Sequence, residues 1–222
     1  MKKILYTLTV IIALLLGTAI IASQYRTTTH EFKASQLGSV ILEDELSQAL
    51  KRGKKIKLTT IVAANWQLPL AGLLNLDHPT SKKARLTSEL QAIQIFSFHV
   101  KHPEFGDYLI DTGVSDAFTT NPRKNGIGPL LEPMLGLEKL SILTTTQQYL
   151  KQENITQVSG VFLTHLHLDH ISGLPDISKK TPIYIGKNES ASKYWMNIAT
   201  QGAVNTLLFG RGDLQEWTGK VV

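Results

Sequence analysis

The chain has 222 residues, of which 42% are hydrophobic and 18% are charged, a composition typical of a globular protein. It contains no cysteine, which excludes disulfides, thiolate metal ligands and a cysteine nucleophile, so any transition-metal site must use histidine and carboxylate side chains. The net charge of +5 is modest and the basic residues are scattered, so we expect no nucleic-acid partner.

Residues 1–25 predict a signal peptide or membrane anchor. Lys2 and Lys3 precede an apolar run over residues 4–22, which at 1.5 Å per residue covers about 28 Å, close to the hydrocarbon thickness of a bilayer. Because both lysines lie on the N-terminal side, the remainder is expected outside the cytoplasm, in the periplasm or another extracytoplasmic space. Ala22 suits a cleavage site and Ile20 does not, so cleavage and retention in the cytoplasmic membrane both stay open.

Residues 26–53 predict a linker and a short helix. Apolar residues recur at helical spacing between Val40 and Leu50, and Gly53 is expected to end this helix. The globular domain is predicted over residues 54–222.

The first strands of this domain are predicted to include a β-hairpin. An initial strand is expected at Lys54–Ala63 and a stronger one at Leu90–Val100. Turn residues follow at His102–Asp107, and Tyr108–Ile110 then forms the returning strand.

The rest of the chain predicts alternating helices and strands. Glycine and proline are frequent over Pro122–Gly136, which predicts a loop. The elements expected after it are a helix at Leu137–Lys151, strands at Ile155–Leu163 and Pro182–Ile185, a helix at Glu189–Ala199 and a strand beginning at Trp217. This alternation after a hairpin predicts a layered α/β domain.

Three histidines and one aspartate directly follow the predicted strand that ends at Leu163: they are His165, His167, Asp169 and His170. Side chains two residues apart in an extended segment point to the same face, so the first two imidazoles can bind one ion. To bring in the other two groups, the chain must turn at Asp169, a good helix N-cap residue, into a helix of about one turn. Leu166 and Leu168 alternate with the polar groups and are expected to anchor the loop to the core.

The alternative is that these are ordinary core residues. A single histidine at the end of an apolar strand is more often a hydrogen-bonded core residue than a ligand. Four polar groups so close together would all need partners, and burying them unpaired would cost several kcal/mol. The pattern therefore predicts a metal site, with zinc favoured and iron or manganese left open.

The segment Thr164–His170 resembles the His-x-His-x-Asp-His signature of the metallo-β-lactamase superfamily. Ser159–Leu163 leads into it and Ser172–Pro175 follows it, as in that family. Tyr108–Gly113 is similar to the family's strand that ends in Asp-Thr-Gly, and the resemblance covers about Lys57–Val222.

This resemblance implies a fold and a ligand set. The fold is α/β, the N-terminal half of a four-layer αββα sandwich preceded here by an N-terminal hydrophobic helix. One or two metal ions are implied, His165 and His167 binding the first, and Asp169 and His170 the second. Asp111 is implied to orient the motif loop from outside the ligand sphere, as is Thr164, although Asp111 could instead cap the end of the hairpin.

The activity implied is metal-assisted hydrolysis of a small molecule. The metal activates a water molecule and polarises a carbonyl or phosphoryl oxygen, while Asp169 orients the nucleophile and transfers a proton to the leaving group. An exported hydrolase of esters, lactones or amides is the leading interpretation. Thiolester or phosphodiester hydrolysis, or a non-catalytic membrane-anchored fragment with a vestigial metal loop, stays open.

The sequence departs from the family after the motif. The family completes its site with a further histidine, a bridging aspartate and a last histidine, but no histidine follows His170, and Asp176 and Asp213 do not have the expected setting. We interpret this as a truncated sequence that lacks the second half of the sandwich, and we expect the 222-residue chain to be inactive or nearly so. The upstream histidines, namely His30, His78, His99 and His102, are expected to be surface or turn residues.

Overall fold

The computed structural model describes residues 2–25, 30, 32–35, 42–53, 55–129, 131–191 and 197–217. The helices are α1 (Lys2–Tyr25), α2 (Glu43–Arg52), α3 (Pro79–Lys83), α4 (Ala117–Thr120), α5 (Glu132–Leu135), α6 (Thr146–Gln152), α7 (Leu168–Ile171) and α8 (Asn197–Leu208). The strands are β1 (Phe32–Ala34), β2 (Lys57–Pro69), β3 (Leu90–His102), β4 (Gly106–Ile110), β5 (Ser141–Ile142), β6 (Gly160–Leu163), β7 (Ile183–Ile185) and β8 (Leu214–Glu216). Short 3₁₀ turns lie at Leu70–Gly72, Pro122–Asn125, Leu137–Lys139, Leu174–Asp176 and Glu189–Ala191.

The strands form one eight-stranded sheet in the order β1-β8-β7-β6-β4-β3-β2-β5. β2, β3 and β4 pair antiparallel. β4, β6, β7, β8 and β1 run parallel to one another. Because of these parallel pairings, the carboxyl ends of β4, β6 and β7 meet at one edge of the sheet, where ligand sites lie in open α/β sheets.

The two faces of the sheet differ in their covering. On one face Leu109, Val161 and Ile183 are buried in a core cluster with helix residues such as Ile171 and Val204. The opposite face carries aromatic side chains that stay partly exposed, among them Phe96, Tyr108, Phe162 and Tyr184. A sheet with helices packed on one face is half of the predicted αββα sandwich, so the predicted fold class is confirmed.

The N-terminal hydrophobic helix is also confirmed, as α1. Its Lys2–Ala19 window has a mean hydropathy of 1.6, none of it is buried, and by length and composition it could cross a membrane. Whether it acts as a signal or an anchor stays a prediction.

The β-hairpin is confirmed, with β3 and β4 pairing as expected. The initial strand is displaced, since β2 begins at Lys57 and runs on to Pro69. The predicted helix at Val40–Leu50 corresponds to α2, which begins at Glu43; Val40 and Ile41 lie outside the described residues. Most of the predicted linker is also outside them, but its Phe32–Ala34 segment forms β1, a strand that was not predicted.

The helix predicted at Leu137–Lys151 is wrong in its first half, which contains a 3₁₀ turn and β5. α6 begins only after Thr145, whose hydroxyl accepts a hydrogen bond from Gln148 N while the Gln148 side chain accepts one from Thr145 N. This capping box fixes the start of the helix, and Thr145 was overlooked as a start signal.

Two later boundaries also differ from the predictions, and the Pro122–Gly136 loop contains two short helical turns. β6 is only the Gly160–Leu163 part of the predicted strand. Of the helix predicted at Glu189–Ala199, the first three residues form a 3₁₀ turn, residues 192–196 lie outside the described residues, and the last three belong to α8, which runs on to Leu208. β8 ends at Glu216, and the strand predicted from Trp217 to Val222 lies outside the described residues except for Trp217 itself.

Candidate metal centre

The motif loop, which we define as Thr164–His170, joins the carboxyl end of β6 to α7. Leu166 and Leu168 are 8% and 4% exposed, so they anchor the loop to the core as predicted. α7 is a single turn, also as predicted. The residue at its N-cap position is His167, however, and Asp169 lies in the first turn instead of capping it.

The four polar side chains of the motif meet at this edge of the sheet. The ring centroid of His165 lies 4.4 Å from that of His167 and 3.9 Å from that of His170. Asp169 Oδ2 is 3.2 Å from His170 Nε2. The turn at the start of α7 therefore brings His170 back beside His165, although a straight strand would carry it to the opposite face.

Asp111 lies behind the motif loop, directly after β4. Its buried carboxylate accepts hydrogen bonds from Thr164 N at 2.9 Å, from Thr164 Oγ1 at 2.9 Å and from His170 Nδ1 at 2.8 Å. Its backbone is left-handed, with φ of 54°, a conformation that a non-glycine residue adopts only at a cost. The carboxylate faces the loop, and its bond to Nδ1 leaves His170 Nε2 facing Asp169.

A second set of hydrogen bonds, made by Thr112, holds the C-terminal end of α7. Thr112 donates to the carbonyl oxygen of His170 from its backbone nitrogen at 2.9 Å and from its hydroxyl at 2.8 Å. Gly173 N donates in turn to Thr112 Oγ1 at 3.0 Å. A Cβ atom on Gly173 would lie 1.9 Å from Thr112 O, so only glycine fits here. Sequence reasoning used Gly173 only as a sign that the helix is short and did not single out Thr112, although both belong to motifs that carry the family resemblance.

The titratable side chains of the site shift one another's pKa values. Burial lowers the pKa of His170, but hydrogen bonds to Asp111 and Asp169 outweigh this effect and raise it to about 9. Burial raises the pKa of Asp169, and its hydrogen bond to His170 more than compensates, so that the pKa is lowered. For His165, burial and the neighbouring imidazoles of His170 and His167 lower the pKa, which favours the neutral, ligating form.

The donor set has the chemistry that zinc requires, with imidazole nitrogens and a carboxylate. The 3.2 Å between His170 Nε2 and Asp169 Oδ2 is close to the spacing of about 3.3 Å between two ligands that each lie about 2.0–2.2 Å from one tetrahedral ion. Within the described part of the chain, however, no group of three or more His, Asp or Glu side chains is arranged to hold an ion. The residues present thus fit part of a metal site.

The remaining histidines lie elsewhere. His99 is buried, which contradicts the prediction of a surface or turn position: its Nε2 donates to Asp107 at 2.8 Å, and its Nδ1 lies 3.0 Å from the Tyr149 hydroxyl. His102 is the last residue of β3, and its ring accepts hydrogen bonds from the turn amides of Glu104 and Phe105. The other two are His78, whose ring accepts from Thr80 N at the start of α3, and His30, which lies beside Gln201.

The two later aspartates have structural partners. Asp176 accepts hydrogen bonds from Ser115 Oγ at 2.6 Å and from Gln147 N at 2.9 Å, while Asp213 pairs with Lys33 at 2.7 Å. Neither contact involves the motif loop.

The fold and this cluster together define a mixed α/β protein with histidine and aspartate donors at the carboxyl edge of its sheet. The family model of the metallo-beta-lactamase superfamily matches residues 95–217, more than half of the 222 residues. The chain belongs to the metallo-beta-lactamase superfamily.

Several solved structures are similar to this chain at low identity. One is a quorum-quenching N-acyl homoserine lactone lactonase, with 17% identity, a TM-score of 0.48, and coverage of 72% of this chain and 56% of that chain. A probable metal-dependent hydrolase from Staphylococcus aureus has 12% identity, a TM-score of 0.45, and coverage of 74% and 59%. AidC, a dizinc quorum-quenching lactonase in complex with a product, has 17% identity, a TM-score of 0.43, and coverage of 86% and 62%.

The chain thus spans about three fifths of the length of these three structures, between 56% and 62%. No curated protein gives a significant match.

Proposed function

We propose that this chain is the metal-binding portion of an exported, zinc-dependent hydrolase that acts on a small ester, lactone or amide. The observation that carries the proposal is the meeting of three imidazoles and the Asp169 carboxylate at the carboxyl end of β6. Membership of the metallo-beta-lactamase superfamily supports the same reaction class.

In this proposal His165 and His167 hold the first ion, and Asp169 and His170 hold the second. A zinc ion held there would supply an activated water molecule and would polarise the carbonyl oxygen of the substrate. Asp111 fixes the tautomer of His170 by accepting from Nδ1, which leaves Nε2 to act as the ligand. Asp169 would orient the attacking water, accept its proton on a carboxylate oxygen and pass that proton to the leaving group.

The N-terminal helix supports export. α1 begins with Lys2 and Lys3 and continues with apolar residues, which is the charge asymmetry expected when the following domain crosses to the outside. Fusing alkaline phosphatase after Val222 tests this, because that enzyme becomes active only outside the cytoplasm. Cytoplasmic fusion protein without phosphatase activity would contradict export.

One specific observation favours a second candidate, a non-catalytic membrane-anchored protein with a partial metal loop. Among the described residues no group of three or more His, Asp or Glu side chains is arranged to hold an ion. For the chain as written we therefore propose metal binding with little or no hydrolysis.

A substrate panel separates these two candidates. The zinc-loaded chain is assayed with esters, lactones, β-lactams and phosphodiesters, beside a protein extended by any coding sequence that follows the codon for Val222. We expect little hydrolysis by the 222-residue chain and zinc-dependent hydrolysis by an extended form that adds the absent ligands. Robust zinc-dependent turnover by the chain itself would contradict the proposal of a partial site.

A further inference from the structure

The motif loop is supported by two carboxylates that come from the two strands beside β6. Asp111 follows β4 and accepts from the backbone nitrogen of Thr164. Glu189 follows β7 and accepts from the backbone nitrogen of Leu166 at 2.9 Å. The main-chain ladder of the sheet ends at Leu163, and beyond it these side chains take the place of the carbonyl oxygens that would continue the pairing.

Leu166 is the residue between the first two candidate ligands. Its side chain is 8% exposed and packs in the core, while its amide donates to Glu189 Oε1. Both ends of this residue are therefore fixed. His165 and His167 directly precede and follow Leu166 in the chain. Fixing the Leu166 backbone therefore also fixes the separation of the two imidazole rings, whose centroids lie 4.4 Å apart.

Glu189 is itself held from the next strand of the sheet. Asn188 N donates to Glu216 Oε2 at 3.0 Å, and Glu216, in β8, is 8% exposed. Asn188 has a left-handed backbone, with φ of 67°, which asparagine tolerates well. A continuous support thus runs from β8 through Asn188 and Glu189 to Leu166.

We propose that Glu189 is a positioning residue of the metal centre, whose carboxylate oxygen holds the Leu166 amide and so keeps His165 and His167 at the spacing that one ion requires. This inference rests on the proposed metal binding. Without an acceptor the amide is left unsatisfied in a part-buried position. The motif loop is then less ordered before the metal binds. Binding must order it, and the metal affinity falls.

The test compares Glu189→Ala with Glu189→Gln in the full 222-residue chain, solubilised in a mild detergent. Cobalt(II) is the probe, because its affinity is obtained by chelator competition and its visible spectrum reports the geometry of the ligands. Glu189→Ala is expected to weaken cobalt binding by about 10–100-fold, the usual effect of losing a group that orients a ligand. Glu189→Gln is expected to bind nearly as wild type does, because its amide oxygen accepts the same hydrogen bond.

A second readout requires no metal. Hydrogen exchange of the Leu166 amide is expected to accelerate in Glu189→Ala and to stay slow in Glu189→Gln. Glu138→Ala is the matched control, because that exposed glutamate pairs only weakly with Lys139, at 3.8 Å, and lies outside the support described above. Its cobalt affinity and Leu166 exchange are expected to equal those of wild type.

The outcomes separate the two ideas. If the wild-type chain fails to bind cobalt, the proposed metal binding is wrong, whatever the variants do. If wild type binds and Glu189→Ala binds equally well with an unchanged spectrum, the positioning role of Glu189 is overturned. Should Glu189→Ala not fold, Glu189→Gln decides: near-wild-type affinity and slow Leu166 exchange support the role, and a large loss overturns it.

Discussion

Two histidine–aspartate pairs lie at opposite ends of β4, and their hydrogen bonds have the same length. Near the start of the strand, His99 Nε2 is 2.8 Å from Asp107. Directly after its end, His170 Nδ1 is 2.8 Å from Asp111. By residue type and distance the pairs are alike, yet we propose a metal-binding role for only one of them.

The second ring nitrogen makes the difference. In His99, whose side chain is 4% exposed, the other nitrogen lies against the Tyr149 hydroxyl, so both nitrogens are used inside the core. In His170, whose side chain is 25% exposed, the other nitrogen faces Asp169, and the ring lies beside His165. A histidine–carboxylate pair therefore indicates a metal site only when the remaining ring nitrogen points towards other side chains that can bind a metal.

The largest effect is expected from removing Asp111. Asp111→Ala leaves Thr164 N and His170 without their acceptor, and the free energy of unfolding should fall by about 3 kcal/mol, the lower end for a broken buried pair because His170 is partly exposed. Urea unfolding measures this fall, and chelator competition should show weaker zinc binding.

Asp107→Ala is the matched variant at the other end of β4. It should lower stability through His99 and leave zinc affinity at the wild-type level. Equal losses of zinc affinity in Asp107→Ala and Asp111→Ala would remove the distinction between the two pairs.

The next largest effect is expected where Gly173 packs against Thr112. In Gly173→Ala the new methyl group meets Thr112 O, and the chain must move, so we expect a destabilisation of about 2 kcal/mol. Gly202→Ala, in α8, is the control, since a methyl group there would meet no atom within 4 Å beyond its own helix and alanine favours the helix. Thermal unfolding compares the stabilities of the two variants. A Gly173→Ala protein as stable as Gly202→Ala would show that the contact between residue 173 and Thr112 tolerates a side chain.

The smallest effect is expected at the buried pair. Tyr149→Phe removes the hydroxyl beside His99 Nδ1 and should cost about 1 kcal/mol, the usual net contribution of one hydrogen bond. Zinc affinity should not change, because this cluster has no contact with the motif loop in the described structure. A shift in zinc affinity without a shift in stability would refute the purely structural role of this cluster.

Much of the site could be predicted because its signals are local. The spacing of His165 and His167, the alternating leucines and the turn at the start of α7 are all properties of seven consecutive residues. The hairpin could be predicted for the same reason, because turn residues lie between two strand patterns.

The remaining features depend on contacts between distant parts of the chain. His99 has no local mark of burial, and its partner Tyr149 is fifty residues away. Glu189 supports the motif loop across 23 residues, through a bond that only the order of the strands brings about. β1 could not be predicted because its three residues become a strand only by pairing with β8.

The central claim is that the motif loop binds a divalent metal through its histidines. Its most direct test is the zinc affinity and stoichiometry of the folded chain, compared between wild type and the His165→Ala, His167→Ala double variant by elemental analysis and chelator competition. The account predicts that wild type retains zinc and that the double variant loses most of it while keeping its fold. Unchanged zinc uptake in the double variant would contradict the account.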